Sequence, residues 1–331
     1  MLADRSEQLH AWVAQALRVA AVILEPASAD ASFRRYFRCV AGQWSYIVMD
    51  APPPAEDCRP YVHVAELLKA AGVHVPDILA WDFERGFLLL SDLGRQTYLD
   101  VLNADNADAL FSDAIAALIR WQQASRPDAL PAYDRALLRR ELELFPEWYV
   151  ARHLDITPTK TEQEILESSF RLLEDSALKQ PRVFVHRDYM PRNLMLSTPN
   201  PGVLDFQDAV YGPIAYDVVS LFEDAFISWD IQRVTSWRQQ YWERARQAGL
   251  PVQELTEFGR AFDWVGLQRH LKVLGIFARI HYRDGKPDYL KDTPRFLRYI
   301  RETGKLYKEF VPLLKLLDAL GSRAQNRMTA T

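Results

Sequence analysis

The run Val183-Phe184-Val185-His186-Arg187-Asp188-Tyr189-Met190-Pro191-Arg192-Asn193-Leu194-Met195-Leu196 gathers residues able to do chemistry between two apolar stretches. Two short buried strands are expected on either side of a charged turn. The turn offers an imidazole at His186, a carboxylate at Asp188 and, five positions later, the side-chain amide of Asn193. A further strand, Val203-Leu204, follows almost at once and delivers Asp205, then Phe206 and Gln207. Two acids and an amide at the ends of neighbouring strands supply the hard oxygen ligands that a divalent cation and a phosphate require. Taken singly, Asp188 or Asn193 would serve equally well to hydrogen-bond a tight turn. The three together, with the second acid at a strand end, favour the metal-and-phosphate site.

The elements that must position these groups follow from periodicity. Asp4 to Ala20 sets Leu9, Trp12, Val13, Ala16 and Leu17 on one helical stripe. Strands are expected at Val22 to Leu24, Arg35 to Val40 and Ser45 to Met49, the last two joined as a hairpin through Ala41-Gly42-Gln43. A helix from Arg59 to Ala71, ended by Gly72, precedes strands at Asp77 to Asp82 and Phe87 to Leu90. Ser91-Asp92-Leu93-Gly94 reads as a hinge, and beyond it the pattern turns helical. Helices are expected at Ala107 to Ser125, Asp134 to Arg152, Thr161 to Leu178, Tyr216 to Ile227, Arg233 to Ala248, Phe262 to Tyr282 and Phe296 to Leu320, with a frayed polar tail from Ser322. The expected architecture is α+β, with a small antiparallel-sheet lobe over residues 1–93 and a larger, mainly helical lobe over residues 94–331. The cleft between two such lobes is a usual place for a ligand.

Composition narrows the function classes. At 331 residues, nearly half apolar and a quarter charged, the chain has the mix of an ordinary globular protein. A net charge of -4 leaves no basic excess for nucleic acid. Cys39 and Cys58 stand in no metal-like spacing, and no secretory or membrane-spanning run is evident. The expectation is a cytoplasmic protein acting on a small molecule, with no membrane, nucleic-acid or protein partner implied.

His186-Arg187-Asp188-x-x-x-x-Asn193 and Asp205-Phe206-Gln207 resemble the catalytic-loop and Asp-Phe-Gly signatures of kinases. With the surrounding helices, the chain resembles the aminoglycoside phosphotransferase branch of that protein-kinase-like fold, whose members phosphorylate small molecules. The resemblance implies ATP and Mg²⁺ as cofactors, Asp188 as the catalytic base, Asn193 as a magnesium ligand and Asp205 as the principal one. His186 and Arg187 are expected to support the loop, and Asp217 to brace it.

On the nucleotide side the sequence departs from the pattern. The stretch Ala29-Asp30-Ala31-Ser32-Phe33-Arg34-Arg35-Tyr36-Phe37 holds no glycine where kinases carry a glycine-rich loop. Ser32 and Phe33 can still present backbone amides, and Arg34 or Arg35 can meet phosphate oxygens. The strand Tyr46-Ile47-Val48-Met49 lacks the phosphate-pairing lysine, whose expected place is Val48. Either an arginine has taken over or metal holds the phosphates; a pseudokinase is the remaining alternative. Adenine is expected against the backbone of Ser91, Asp92 and Leu93.

The acceptor pocket is less sharply marked. Glu223 or Asp224 is expected to reach the cleft, and Arg269, Lys272, Arg279 and Arg283 share one helical stripe. A solvated basic face is one account of the stripe; a pocket for a neutral or anionic sugar is the other, since polycationic aminoglycosides call for acids. The succession Asp205-Phe206-Gln207-Asp208-Ala209, Arg269-His270-Leu271-Lys272-Val273-Leu274-Gly275 and Arg283-Asp284-Gly285-Lys286 is also similar to bacterial anomeric kinases of cell-wall amino sugars. That similarity implies N-acetylmuramate and N-acetylglucosamine as acceptors, with Asp224, Arg269, His270, Lys272 and Arg279 as candidate contacts. A kinase for another alcohol, such as an aminoglycoside, choline or homoserine, would share every catalytic residue.

Overall fold

A computed structural model describes residues 2–28 and 33–328. Two compact units form: one from Met1–Ala124 with Pro191–Ala209, the other from Ser125–Met190 with Val210–Thr331.

The first unit opens with helix α1 (Leu2–Leu17) and strands β1 (Leu24–Ser28), β2 (Arg35–Ala41) and β3 (Trp44–Asp50), followed by α2 (Arg59–Ala70), β4 (Ile78–Asp82), β5 (Phe87–Ser91), α3 (Tyr98–Val101) and α4 (Ala107–Gln123). The strands make one antiparallel sheet in the order β1-β2-β3-β5-β4. Gly42, at φ +63°, supplies the left-handed turn between β2 and β3. Side chains alternate across the sheet, so Phe37, Cys39, Tyr46, Val48, Phe87 and Leu89 fall on the face that Leu9 and Val13 of α1 cover. Asp50 is fully buried on the same side and is held by Arg5 and Arg35.

The chain continues through α5 (Arg135–Leu144), a π-helical stretch Phe145–His153, α6 (Lys160–Lys179) and β6 (Arg182–Val185) in the second unit. It returns to the first unit for the short antiparallel pair β7 (Leu194–Met195) and β8 (Gly202–Val203). The rest of the second unit is β9 (Val210–Pro213), which pairs with β6, and the helices α7 (Tyr216–Phe222), α8 (Ile231–Gln247), α9 (Leu255–Asp284), α10 (Thr293–Gly304) and α11 (Val311–Met328). α9 is buried along most of its length and ends at Gly285, φ +68°, in the usual left-handed cap. Leu267, Leu271, Leu274, Phe277, Phe296 and Phe310 belong to the apolar core built around it.

Four expectations are corrected. The helix expected from Asp134 to Arg152 changes to π winding at Phe145, where Pro146 removes an amide from the ladder. The helix expected from Tyr216 to Ile227 stops at Phe222, because the Asp224 carboxylate takes the amides of Phe226 and Ile227. The helix expected from Phe296 to Leu320 is two, α10 and α11. A Cβ on Gly304 would lie 2.9 Å from the Leu314 side chain, so glycine eases the close return of the second helix. The tail expected to fray from Ser322 remains helical as far as Met328. Among the described residues no helix is long and apolar enough to cross a membrane.

Gly275 marks the tightest approach in the helical core. A Cβ there would stand 2.3 Å from the carbonyl carbon of Leu144, so α9 can rest on the α5 backbone only with a hydrogen in that place. Gly275→Ala is expected to destabilise the protein by about 2–3 kcal/mol through overpacking. Urea denaturation of the two proteins measures it; equal midpoints would show that the helices part without penalty.

Candidate active site

The first unit brings Asn193 and Asp205 together. Asn193 ends a single 3-10 turn, Pro191–Asn193, that runs straight into β7. β7 and β8 pair Leu194 with Val203, and the Asn193 carbonyl extends the ladder by accepting the Leu204 amide at 2.9 Å. Asp205 is the next residue, so its carboxylate and the Asn193 side-chain amide come to 3.5 Å. Asp205 has φ +60°, a left-handed conformation that an L-residue adopts only when its surroundings impose it. Gln207 Nε2 donates to Asp205 Oδ1 at 2.9 Å and fixes the carboxylate's direction. Phe206 is fully buried, its ring tilted against Tyr61 of α2 with centroids 4.6 Å apart. Among the described residues no group of three or more His, Cys, Asp or Glu could hold a metal. One carboxylate and one amide, with phosphate oxygens and water completing the shell, is the arrangement that suits Mg²⁺.

The two loop arginines take different paths. Arg35 sits opposite Asp50 in the β2–β3 register and bonds that buried carboxylate, with Arg5 on its other oxygen. Its side chain is thereby drawn to the α1 side of the sheet. Arg34 instead places Nε 3.2 Å from Glu56 Oε2, and its other arm 4.0 Å from Asp208 Oδ2. Phe33 is exposed, and its amide donates to Glu56 Oε1 at 3.3 Å. Ser32 lies outside the described residues.

Val48 is fully buried in the core beneath α1. Ile47 and Met49 take the opposite face of the sheet. At the hinge, Asp92 is no ligand-facing acid. Its oxygens take Arg38 at 2.6 and 3.1 Å, Ser45 at 2.5 Å and the Gly94 amide at 3.0 Å. Burial opposes its charge, yet these donors hold its carboxyl below the usual range. The Ser91 amide is likewise taken by Asp77 at 2.9 Å. Leu93 packs over Gly202, whose Cβ would meet it at 2.7 Å.

Asp188 belongs to the second unit. Strand β6 pairs with β9 and not with the β7–β8 hairpin, which corrects the picture of one run of neighbouring strands. The turn that follows β6 is braced by Asp217, whose fully buried carboxylate accepts the amides of His186 at 2.7 Å and Arg187 at 3.0 Å. Burial pushes the Asp217 carboxyl up to about 7, against the pull of those two amides. Arg187 is left-handed, φ +74°, which turns the chain sharply before Asp188. The Asp188 amide donates to His186 Nδ1 at 3.3 Å, and the Asp188 carbonyl accepts from Met190 at 2.9 Å. Asp188 itself stays half-buried.

Behind this turn lies a buried ionic cluster. Glu141 of α5 meets the Arg187 guanidinium, Lys272 Nζ at 3.1 Å, Gln268 Nε2 at 3.1 Å and the Tyr133 hydroxyl. Lys272 also donates to the Tyr216 hydroxyl at 3.0 Å. The α9 stripe is therefore not a solvated face: Arg269 is 2% and Lys272 6% exposed. His270 is closed off, Nε2 on Glu223 at 2.6 Å and its ring stacked on Tyr299, while Asp224 is fully buried under the backbone it caps. These four side chains are buried within the unit; of the candidate acceptor contacts, Arg279 alone is half-buried. Glu141, Glu56 and the bracing role of Gln207 escaped the sequence reading. No local pattern marks a glutamate whose partners lie 46 and 127 residues away.

Burial disfavours a charged Glu141, but Lys272 and Arg187 hold its carboxyl down at about 2, below the ordinary 4.5. Its contribution to stability is therefore complete above 4.5 and is lost as the pH falls toward about 2. Glu141→Gln should cost about 3–5 kcal/mol at neutral pH, because two buried cations lose their counter-ion. It should also remove about 3 kcal/mol of acid dependence. Denaturation at a series of pH values tests both; an unchanged acid limb in the variant would contradict the assignment.

A model of the phosphotransferase enzyme family matches residues 23–255, more than half of the chain. The N-acetylmuramate/N-acetylglucosamine kinase of Pseudomonas putida is 56% identical over 333 residues, covering 97% of this chain and 98% of that protein. The protein of the same name from Neisseria meningitidis is 48% identical over 300 residues, covering 89% of each. Among solved structures, choline kinase LicA from Streptococcus pneumoniae is similar with a TM-score of 0.62 at 15% identity, over 85% of this chain and 94% of that one. ADP-bound aminoglycoside phosphotransferase APH(2'')-Ib gives 0.57 at 15% identity, over 92% and 99%. At that identity the likeness is one of fold, and it makes the fold kinase-like. By family match and by full-length identity, the chain belongs to the phosphotransferase enzyme family.

Proposed function

We propose that this protein is an ATP-dependent kinase that phosphorylates the anomeric hydroxyl of N-acetylmuramate and N-acetylglucosamine to the α-1-phosphate, serving peptidoglycan recycling in the cytoplasm. The observation that carries the reading is the Asn193–Asp205 pair at one hairpin end, in a chain so similar to kinases of that name. The nucleotide lobe is taken to end at the hinge, residue 93, and the remainder to carry the acceptor.

Asp188 accepts the acceptor's proton, or orients its hydroxyl at hydrogen-bond distance. The carboxylate needs no unusual basicity, because the anomeric hydroxyl is the most acidic on a sugar and its proton leaves late. Asp217 keeps the turn in place, and Arg187, tied to Glu141, prevents the turn from swinging. Asn193 and Asp205 would hold Mg²⁺, which neutralises charge developing on the transferred phosphoryl group. The backbone of Asp92 and Leu93 is the proposed hinge contact for adenine, because the Ser91 amide already donates to the Asp77 carbonyl. Arg279 is the cation proposed for the lactyl carboxylate of N-acetylmuramate: Arg269 and Lys272 are buried, and the exposed Arg283 is paired with Asp284.

Asp188→Asn should lower turnover by about a thousandfold or more, with MgATP binding nearly unchanged. A variant with wild-type turnover would remove the assigned role. Acceptors are separated by coupled ADP release with N-acetylmuramate, N-acetylglucosamine and kanamycin, followed by phosphorus NMR of the product. The reading expects both amino sugars to be turned over to the 1-phosphate. Phosphate on the sixth carbon, or turnover of kanamycin alone, would reject it.

A further inference from the structure

We infer that Arg34, clamped by Glu56, binds the nucleotide's phosphates in place of the lysine absent from β3. The inference deepens the proposed kinase reading and rests on ATP being a ligand. It depends on the first unit alone, which holds every residue involved.

Strand β3 reads Trp44-Ser45-Tyr46-Ile47-Val48-Met49-Asp50 and has no cation on either face. In kinases a lysine on this strand, ion-paired to a helix glutamate, meets the phosphates beside the metal-binding aspartate. Three observations assign the same function to Arg34. First, the β2–β3 register pairs Arg35 with Asp50, which commits that arginine to the α1 side of the sheet. The neighbouring Arg34 projects the other way. Second, Arg34 is drawn into an acidic neighbourhood: Nε is 3.2 Å from Glu56, one terminal nitrogen is 4.0 Å from Asp208, and the charge of Asp205 stabilises the guanidinium. The cation thus lies within electrostatic range of the carboxylate proposed to hold the metal. Third, the ion pair is shielded from water. The Arg34 and Glu56 side chains are only 11% and 14% exposed, and the second oxygen of Glu56 takes the Phe33 amide. One carboxylate thereby faces both Arg34 and the amide of the residue before it.

An arginine guanidinium is planar and presents its N–H groups in a fixed fork, which suits phosphate oxygens better than an ammonium would. Glu56 precedes α2 and does not lie within it, so this ion pair is a rebuilt version of the lysine–glutamate pair from different elements.

The test is calorimetric binding of MgADP and of adenosine to the full chain, for wild type, Arg34→Ala, Arg34→Gln, Glu56→Gln and Arg35→Ala. Removing a charge-assisted phosphate contact should weaken MgADP about 30-fold in both Arg34 variants. Adenosine should bind within about twofold of wild type. Glu56→Gln should give a smaller loss of the same kind, and Arg35→Ala should lower the melting temperature while sparing the MgADP-to-adenosine ratio. Arg34→Gln keeps length and hydrogen-bonding capacity, so a folded variant is at hand if the alanine form unfolds. Equal losses for MgADP and adenosine, or MgADP binding at wild-type strength, would overturn the proposal. So would a wild type that binds no MgADP. The sugar reading fails differently, by lack of acceptor turnover in a protein that still binds MgADP.

Discussion

The Asn193 carbonyl accepting the Leu204 amide is the bond on which the candidate metal site depends. It extends a hairpin of two paired residues on each strand by one rung, and that rung sets Asn193 beside Asp205. Because side chains alternate along a strand, a slip of one residue would turn Asp205 to the opposite face and separate the pair. The hairpin is short but well supported. Leu194 and Val203 are fully buried, the Val203 amide donates to the His74 carbonyl at 2.8 Å, and Gly202 lets the Leu93 side chain pack close to the strand.

The left-handed residues nearest the proposed chemistry, Arg187 and Asp205, each carry a backbone strain that packing must outweigh. The supports differ. At Arg187 they are ionic and deep: Asp217 binds the turn's amides from below, and Glu141 anchors the guanidinium. At Asp205 the neighbouring Phe206 is locked against Tyr61, while Gln207 directs the carboxylate. Each strained residue thus lies next to one that cannot move, the condition under which a small polar group keeps a single orientation.

Much of this was legible in the sequence, and the failures share a cause. Strands β2 to β5 and helices α2, α4 and α6 were visible because their apolar spacing has the period of the element. Asp188, Asn193 and Asp205 stood out because a short loop carries them between apolar runs. The breaks after Leu144, Phe222 and Gly304 were hidden, since each is set by a contact from elsewhere or by one proline or acid overriding a helical pattern. On α9 the sequence left a solvated face and an acceptor pocket both open. Arg269, His270 and Lys272 lie on a helix covered on nearly every side, where Glu141 takes Lys272 and Glu223 takes His270, so the solvated face is not what forms. Glu56 and Glu141 were invisible, because their meaning lies wholly in distant partners. Arg34 and Arg35 look identical in sequence, and only strand register distinguishes them.

The central claim is that Asn193 and Asp205 act as one metal-binding pair in the presence of nucleotide. Electron paramagnetic resonance titration of Mn²⁺ in the presence of ADP reads this directly, without any acceptor. The account predicts tight Mn²⁺ binding by wild type that is lost in Asp205→Asn and clearly weakened in Asn193→Ala, with adenosine affinity retained. Mn²⁺–ADP affinity unchanged in both variants would contradict it.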